Sequence, residues 1–179
     1  MLPRRGHNTE MPRAPVYLDY HATTPVDPRV LEAMLPFFHD QFGNPASASH
    51  QWGWKAQQAV ESARRDIAAL IGASAREIIF TSGATESNNF AVRGVAEAAP
   101  PERRHLAVSA IEHKSVLEAA SRLARDGWDV SIVPVDSTGR LDLEALAEVV
   151  TDRTALVSVI AANNEIGRAS CRERVSECV

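Results

Sequence analysis

The chain has 179 residues, of which 45% are hydrophobic, and 19 basic against 23 acidic side chains give it a formal net charge of −4. This length suits about one domain by the prior of roughly 100–200 residues per domain, and the composition is that of a globular protein. The charge shows no basic excess that would favour nucleic acid, and no apolar run reaches the roughly 18 residues that a membrane helix needs.

Cysteine and lysine are both scarce in this sequence. Cysteine occurs only as Cys171 and Cys178, and lysine only as Lys55 and Lys114. So few cysteines exclude a disulfide-rich secreted scaffold. Residues 1–15 contain no apolar stretch of the kind a secretory signal requires, so we expect a flexible N-terminal tail and a cytoplasmic protein. An Arg-rich organelle presequence is the less favoured alternative, because acidic residues are atypical of one.

Two helices are predicted in the first half of the chain. The first begins at Asp27 as N-cap with Pro28 at the first helical position, and Pro36 limits or kinks it. The second spans 52–71, where apolar residues recur three to four positions apart. Gly72 follows it at the position that favours a glycine.

From residue 77 to residue 161, strand and helix patterns alternate. They predict strands over 77–81, 106–110, 130–135 and 156–161, and helices over 86–99, 115–125 and 143–150, the last capped by Asp142. This alternation implies βαβ units and an α/β fold with a mainly parallel sheet and helices on its faces. The segment 168–179 has neither the helical nor the strand periodicity of apolar residues, and it is typical of a solvated charged tail.

The first strand-to-helix junction of interest is the sequence Ser-Gly-Ala-Thr-Glu-Ser at 82–87. Ligands of open parallel sheets bind outside the carboxyl ends of the strands. Small residues at Gly83 and Ala84 let an anion approach the free amides of a helix N-terminus, and the hydroxyls of Ser82 and Thr85 add donors. The alternative is an ordinary N-cap by Ser82 or Thr85 with no ligand.

Two further junctions carry polar side chains after predicted strands. His113 precedes a helix, where an imidazole can lie over a flat ligand or titrate near neutral pH, although a loop histidine is more often exposed or capping. Asn163 and Asn164 follow the last strand and either fix a ligand oxygen or shape a turn. Taken together, the three junctions favour a phosphorylated, planar ligand.

The junctions, together with the segments Tyr17–Pro25, Phe42–Ser47 and Ser82–Ser87, closely resemble the cysteine desulfurases, pyridoxal-phosphate enzymes of the class V aminotransferase superfamily. The resemblance covers about residues 16–167. It implies the fold type I architecture of PLP-dependent transferases. On this basis 16–26 begin the small domain, and 27–167 form the first half of the large PLP-binding domain.

The resemblance also implies an activity, a cofactor and site residues. Such enzymes are homodimers that take sulfur from L-cysteine and release L-alanine. The sulfur is held as an enzyme persulfide and passed to an acceptor or scaffold protein for iron–sulfur cluster or thio-cofactor assembly. Ala84 and Thr85 match the site of the pyridoxal 5′-phosphate phosphate group. His113 matches the imidazole that stacks on the pyridine ring and transfers protons, and Asn164 matches the partner of the phenolic oxygen. No metal ion is expected.

The family's cofactor lysine, its pyridine-nitrogen aspartate and its catalytic cysteine all lie beyond the Asn-Asn-Glu-Ile-Gly motif at 163–167. Neither Lys55 nor Lys114 matches the cofactor lysine. We therefore expect an N-terminal fragment that is inactive alone, with a non-native tail over 168–179, and that is poorly soluble because apolar faces and a sheet edge are uncovered. The alternatives are another class V enzyme, such as an aminotransferase or selenocysteine lyase, and a non-catalytic phosphate-binding module.

Overall fold

The computed structural model describes residues 16–20 and 22–163, and the backbone of 168–169. Its helices are α1 (Pro28–His39), α2 (Gln51–Ile71), α3 (Ala84–Ala98), α4 (Lys114–Arg125) and α5 (Leu143–Val149), with a 3₁₀ turn at Ala75–Glu77. Its strands are β1 (His105–Ser109), β2 (Asp129–Val133), β3 (Thr154–Ser158), β4 (Ala162–Asn163) and β5 (Arg168–Ala169). Over these ranges, no helix has the length and apolar character needed to cross a membrane.

Local signals in the sequence define the ends of α1 and α2. The Asp27 carboxylate accepts a hydrogen bond from the Arg29 backbone N–H at 2.8 Å, as expected of an N-cap. Helix α1 continues through Pro36 and ends at His39, so the proline does not terminate the helix where it occurs. Gly72 ends α2 with φ at 70°, a left-handed conformation that a glycine adopts without steric cost.

The central sheet has the strand order β2–β1–β3, and both pairs are parallel. Leu106 of β1 is in register with Val130 of β2 on one side and with Leu156 of β3 on the other. Helix α4 connects β1 to β2, and α5 connects β2 to β3, so each connection is a βαβ unit. These observations confirm the predicted parallel α/β architecture.

The two faces of the sheet are covered by different helices, because successive β1 side chains point to opposite faces. Leu106 and Val108 pack with residues of α3 and α4, including Val92 and Leu123. Ala107 packs on the other face with Val133 and with Leu146 of α5. The prediction of helices on both faces is therefore confirmed.

The predicted strand over 77–81 is wrong. Its first residue belongs to the 3₁₀ turn, and 78–81 run without pairing to another strand of the described chain. Ile78 has an extended backbone, with φ at −90° and ψ at 124°. Ile79 and Phe80 are 56% and 47% exposed, so their apolar side chains are not enclosed by a sheet. The β propensity is present here, but among the described residues no neighbouring strand supplies hydrogen bonds.

The other predicted strands begin one or two residues before their predicted starts and end one to three residues before their predicted ends. β2 and β3 end at Val133 and Ser158, before the predicted limits of 135 and 161. In the residues after β3, Ala162–Asn163 pairs antiparallel with Arg168–Ala169 instead of extending the parallel sheet. The change of direction moves the chain out of the sheet immediately beyond its carboxyl edge.

Helices α1 and α2 leave much apolar surface uncovered. Phe38 near the end of α1 is 71% exposed, and Leu70 and Ile71 at the end of α2 are 85% and 65% exposed. These helices have apolar stripes of the kind that normally pack on a partner surface. The expectation of uncovered apolar faces is confirmed within the described residues.

Candidate functional site

The N-terminus of α3 presents its first-turn amides without a side-chain cap. Gly83 is the N-cap residue, and no heavy atom lies within 4 Å of the position that a Cβ would take there. Ala84 and Thr85 follow as the first two helical residues and are exposed. Free amides and the positive end of the helix dipole favour an anion at such a position.

Neither Ser82 nor Thr85 caps α3, so the N-cap alternative is not what the structure shows. The Ser82 backbone N–H and hydroxyl both donate to Glu86 Oε2, each at 2.6 Å. These two hydrogen bonds lower the pKa of the Glu86 carboxyl. The Thr85 hydroxyl makes no hydrogen bond within the described part of the chain, so it is available as a donor next to the exposed amides.

His113 is the N-cap of α4, as the alternative interpretation allowed. Its Nδ1 accepts a hydrogen bond from the Ser115 backbone N–H at 3.1 Å and lies 2.8 Å from Ser115 Oγ. Because an accepting ring nitrogen carries no proton in the neutral imidazole, this network assigns the proton to Nε2. The side chain is exposed, and Nε2 makes no hydrogen bond to the described residues. Capping therefore occupies one ring nitrogen and leaves the other available.

A hydrogen bond between α3 and α4 joins the first two junctions. The Asn88 side-chain amide, one turn into α3, donates to Ser115 Oγ at 2.9 Å. Ser115 in turn contacts His113 through both its backbone and its hydroxyl. The two helix N-termini, which carry Thr85 and His113, therefore lie side by side at the carboxyl edge of the sheet.

The third junction lies against the second. Asn163 donates from Nδ2 to the backbone oxygen of Ile111 at 2.7 Å, and Ser158 Oγ donates to Glu112 Oε1 at 3.1 Å. The loop after β1 and the loop after β3 are thus in contact at two points. Asn164, the predicted partner of the cofactor's phenolic oxygen, lies outside the described residues, and its role stays a prediction.

Sequence reasoning did not assign a role to Glu112, which is a buried acid at the centre of this site. Its residue surface is 8% exposed. Burial raises the pKa of its carboxyl, while a hydrogen bond from Ser158 and interactions with the backbone of His113 and Ile160 partly offset that rise. The sequence held one signal that this acid is buried: a charged residue stands immediately after an apolar strand, where water has poor access.

The two lysines lie in unremarkable surroundings. Lys114 is the first residue of α4, and its Nζ pairs with Glu118 Oε1 at 3.5 Å on the exposed helix surface. Lys55 lies on α2 with its Nζ 5.9 Å from the centre of the Trp52 ring. Both lysines are exposed, unlike the desolvated lysines that perform covalent chemistry.

The Aminotransferase class-V family matches residues 16–178, and the chain belongs to this family. It is 56% identical over 153 residues to the cysteine desulfurase IscS of Rickettsia bellii (strain OSU 85-389), a match covering 86% of this chain and 37% of that protein. It is 51% identical over 171 residues to the cysteine desulfurase IscS of Rickettsia felis (strain ATCC VR-1525 / URRWXCal2), covering 91% of this chain and 42% of that protein.

Solved structures agree with this assignment. A NifS-like protein superposes with a TM-score of 0.82 at 46% identity, covering 92% of this chain and 45% of that one. SspA in complex with cysteine superposes with a TM-score of 0.77 at 39% identity, covering 90% and 46%. The resemblance to cysteine desulfurases and the expected PLP-dependent transferase fold are thereby confirmed. The chain spans 37–42% of the length of the curated relatives described above.

Proposed function

We propose that this chain is the N-terminal part of a PLP-dependent cysteine desulfurase. The whole enzyme would take sulfur from L-cysteine, release L-alanine and pass the sulfur, held as a persulfide, to an acceptor or scaffold protein. Sequence identity of 56% to a desulfurase supports this activity, and so does the similarity to SspA, which was solved in complex with cysteine. We further propose a cytoplasmic homodimer, since sulfur transfer through thiols suits a reducing compartment.

The observation that carries this proposal is the convergence of three loops at one sheet edge. The uncapped first turn of α3 suits a phosphate group, with Ala84 and Thr85 as its contacts. The exposed imidazole of His113 lies at the neighbouring helix N-terminus, which the Asn88–Ser115 hydrogen bond joins to α3, and would supply the contact to the cofactor's planar ring. The chain leading to Asn164 contacts the His113 loop through Asn163. The residues present therefore fit the phosphate and the ring of pyridoxal phosphate.

The chemistry that pyridoxal phosphate supplies when bound is an electron sink for bond changes at the substrate. The protein's part begins with Ser115, which anchors Nδ1 of His113 and so fixes the plane of the imidazole. The exchangeable proton is then held at Nε2, on the side of the ring turned away from α4's own backbone. His113 can stack on a ring and exchange a proton at that single atom.

The test uses pyridoxamine 5′-phosphate, which presents the ring and phosphate but has no aldehyde to react with lysine. Calorimetric titration of the 179-residue chain is expected to show binding that Thr85→Val weakens by at least about tenfold, through the lost hydroxyl contact to a charged group. His113→Asn keeps an N-cap acceptor and removes the ring, so affinity is expected to fall about two- to tenfold.

Inorganic phosphate and a second histidine supply the controls. Thr85→Val is expected to weaken the binding of inorganic phosphate as well, whereas His113→Asn is expected to leave that binding unchanged. His39→Asn alters an exposed histidine at the far end of α1 and is expected to change neither ligand. If the wild-type chain binds no pyridoxamine 5′-phosphate, or if the His39 and His113 variants behave alike, the proposed site is wrong.

A further inference from the structure

We propose that Glu112 is a positioning residue, whose buried carboxylate holds the loop that carries His113 at a fixed distance from the loop that leads to Asn164. This inference rests on the proposed function for its purpose, because it concerns how the ring-contacting residues are oriented. The contact that it invokes is independent of any ligand.

The carboxylate of Glu112 bridges the ends of two strands. Ser158, the last residue of β3, donates its hydroxyl to Oε1 at 3.1 Å. The backbones of His113 and Ile160 also help to lower the pKa of this carboxyl. One side chain from the loop after β1 therefore joins its own loop to the last residue of β3.

A second contact acts beside the first. Asn163 Nδ2 donates to Ile111 O at 2.7 Å, across the same pair of loops. The turn that presents Ile111 and Glu112 is itself closed by the Glu112 backbone N–H, which donates to Ser109 O at 3.2 Å. Two cross-loop hydrogen bonds on a closed turn leave the His113 backbone little freedom to move relative to the loop after β3.

Burying an acid is unfavourable, and an apolar side chain of similar volume could occupy the space without that cost. What an apolar side chain cannot do is accept the hydrogen bond from the Ser158 hydroxyl, which the carboxylate accepts at Oε1. That hydroxyl would then lose its acceptor in a partly buried place. The structure thus explains why residue 112 is a carboxylate by the hydrogen bond that it accepts across the two loops, and not by its packing.

The first test measures amide hydrogen exchange in the 179-residue chain. In Glu112→Ala, the amides of Ile160 and His113 are expected to exchange at least about tenfold faster, because the two loops lose a hydrogen bond that joins them and open locally more easily. In Glu112→Gln, the side-chain carbonyl oxygen still accepts from the Ser158 hydroxyl, so the link between the loops is retained. Exchange at Ile160 is then expected to rise by less than about threefold.

The matched control is Glu118→Ala, which removes an exposed carboxylate on α4 and is expected to change neither amide. In every variant, exchange at Leu146 in α5 is expected to stay at its wild-type rate, which shows that the sheet and its other face remain folded. If Glu112→Ala leaves both loop amides at wild-type rates, or accelerates Leu146 to the same extent, Glu112 is not the link between the loops.

The second test separates ring contact from phosphate contact. Glu112→Ala is expected to weaken the binding of pyridoxamine 5′-phosphate about as much as His113→Asn does, and to leave the binding of inorganic phosphate unchanged. Glu112→Gln is expected to restore most of the affinity for pyridoxamine 5′-phosphate. Equal weakening of both ligands would overturn the positioning role. If the wild-type chain binds no pyridoxamine 5′-phosphate, the proposed function fails, and the exchange rates still decide whether Glu112 joins the loops.

Discussion

Gly53 in the first turn of α2 is a position where adding one methyl group should reverse the usual effect of a glycine-to-alanine change. The residue is buried, and a Cβ built on it would overlap the carbonyl oxygen of Ser47 and lie 2.8 Å from the carbonyl carbon. Carbon atoms in contact normally lie about 3.5–4.0 Å apart. The loop that ends at Ser47 would therefore have to move by about 1 Å.

That movement disturbs bonds that shape the loop. Ser47 N–H donates to Asn44 O at 3.0 Å, and the Trp54 indole N–H donates to Ala48 O at 2.6 Å. Alanine is favoured over glycine in a helix by about 1 kcal/mol, whereas overpacking costs about 1–3 kcal/mol. Adding the broken loop contacts, we expect Gly53→Ala to lower the free energy of unfolding by about 1–2 kcal/mol.

Gly94 provides the matched control, because it lies in the exposed middle of α3 with no heavy atom within 4 Å of the position that a Cβ would take. Gly94→Ala should raise stability by about 0.5–1 kcal/mol. For a chain of this size, 1 kcal/mol corresponds to about 2–4 °C in Tm. Thermal unfolding followed by circular dichroism should therefore move the two variants in opposite directions, and a rise in Tm for Gly53→Ala would refute the steric argument.

Three further predictions concern a cap, an acid and an exposed apolar side chain. The Asp142 carboxylate accepts from the backbone N–H groups of Glu144 and Ala145 at 3.0 Å, so Asp142→Ala should cost about 1 kcal/mol in urea unfolding, with Asp142→Asn near wild type. Burial raises the pKa of Glu112 above 4.5, so the folded state binds more protons at this group than the unfolded state does. The free energy of unfolding should therefore fall as the pH rises from 4.5 through the raised pKa. Glu112→Gln should flatten that slope, and parallel pH profiles would contradict it. Leu70 is 85% exposed, so Leu70→Lys should reduce association in light scattering while changing stability by less than about 0.5 kcal/mol; unchanged scattering would show that this surface does not drive association.

Helix boundaries were predictable because their causes are local. Asp27 and Asp142 cap the following helices through their own nearest amides, and Gly72 ends α2 through its own φ angle. No distant residue is needed for any of these interactions. The motif at 82–87 likewise indicated a helix N-terminus from residues that are adjacent in the chain, although it left open whether Ser82 or Thr85 caps the helix.

Strand pairing was less predictable because it depends on residues far away in sequence. The segment 77–81 contains Ile78, Ile79 and Phe80 and favours a strand more strongly than the His-Leu-Ala-Val-Ser sequence of β1, yet of the two only β1 is paired, since β2 and β3 lie on either side of it. A propensity for extended backbone becomes a strand only where another chain segment supplies hydrogen bonds.

By itself the sequence determined the family, the α/β order of elements, the helix ends at Asp27, Gly72 and Asp142, and the placement of Thr85 and His113 at helix N-termini. Tertiary structure decided which of these residues meet, through the Asn88–Ser115 bond, and decided that Glu112 is buried against Ser158. The reason is that the cross-loop hydrogen bonds depend on how β1 and β3 pair, and the sequence near residue 112 does not specify that pairing. A carboxylate that looks like an ordinary loop charge in the sequence becomes, in the fold, the acceptor between two site loops.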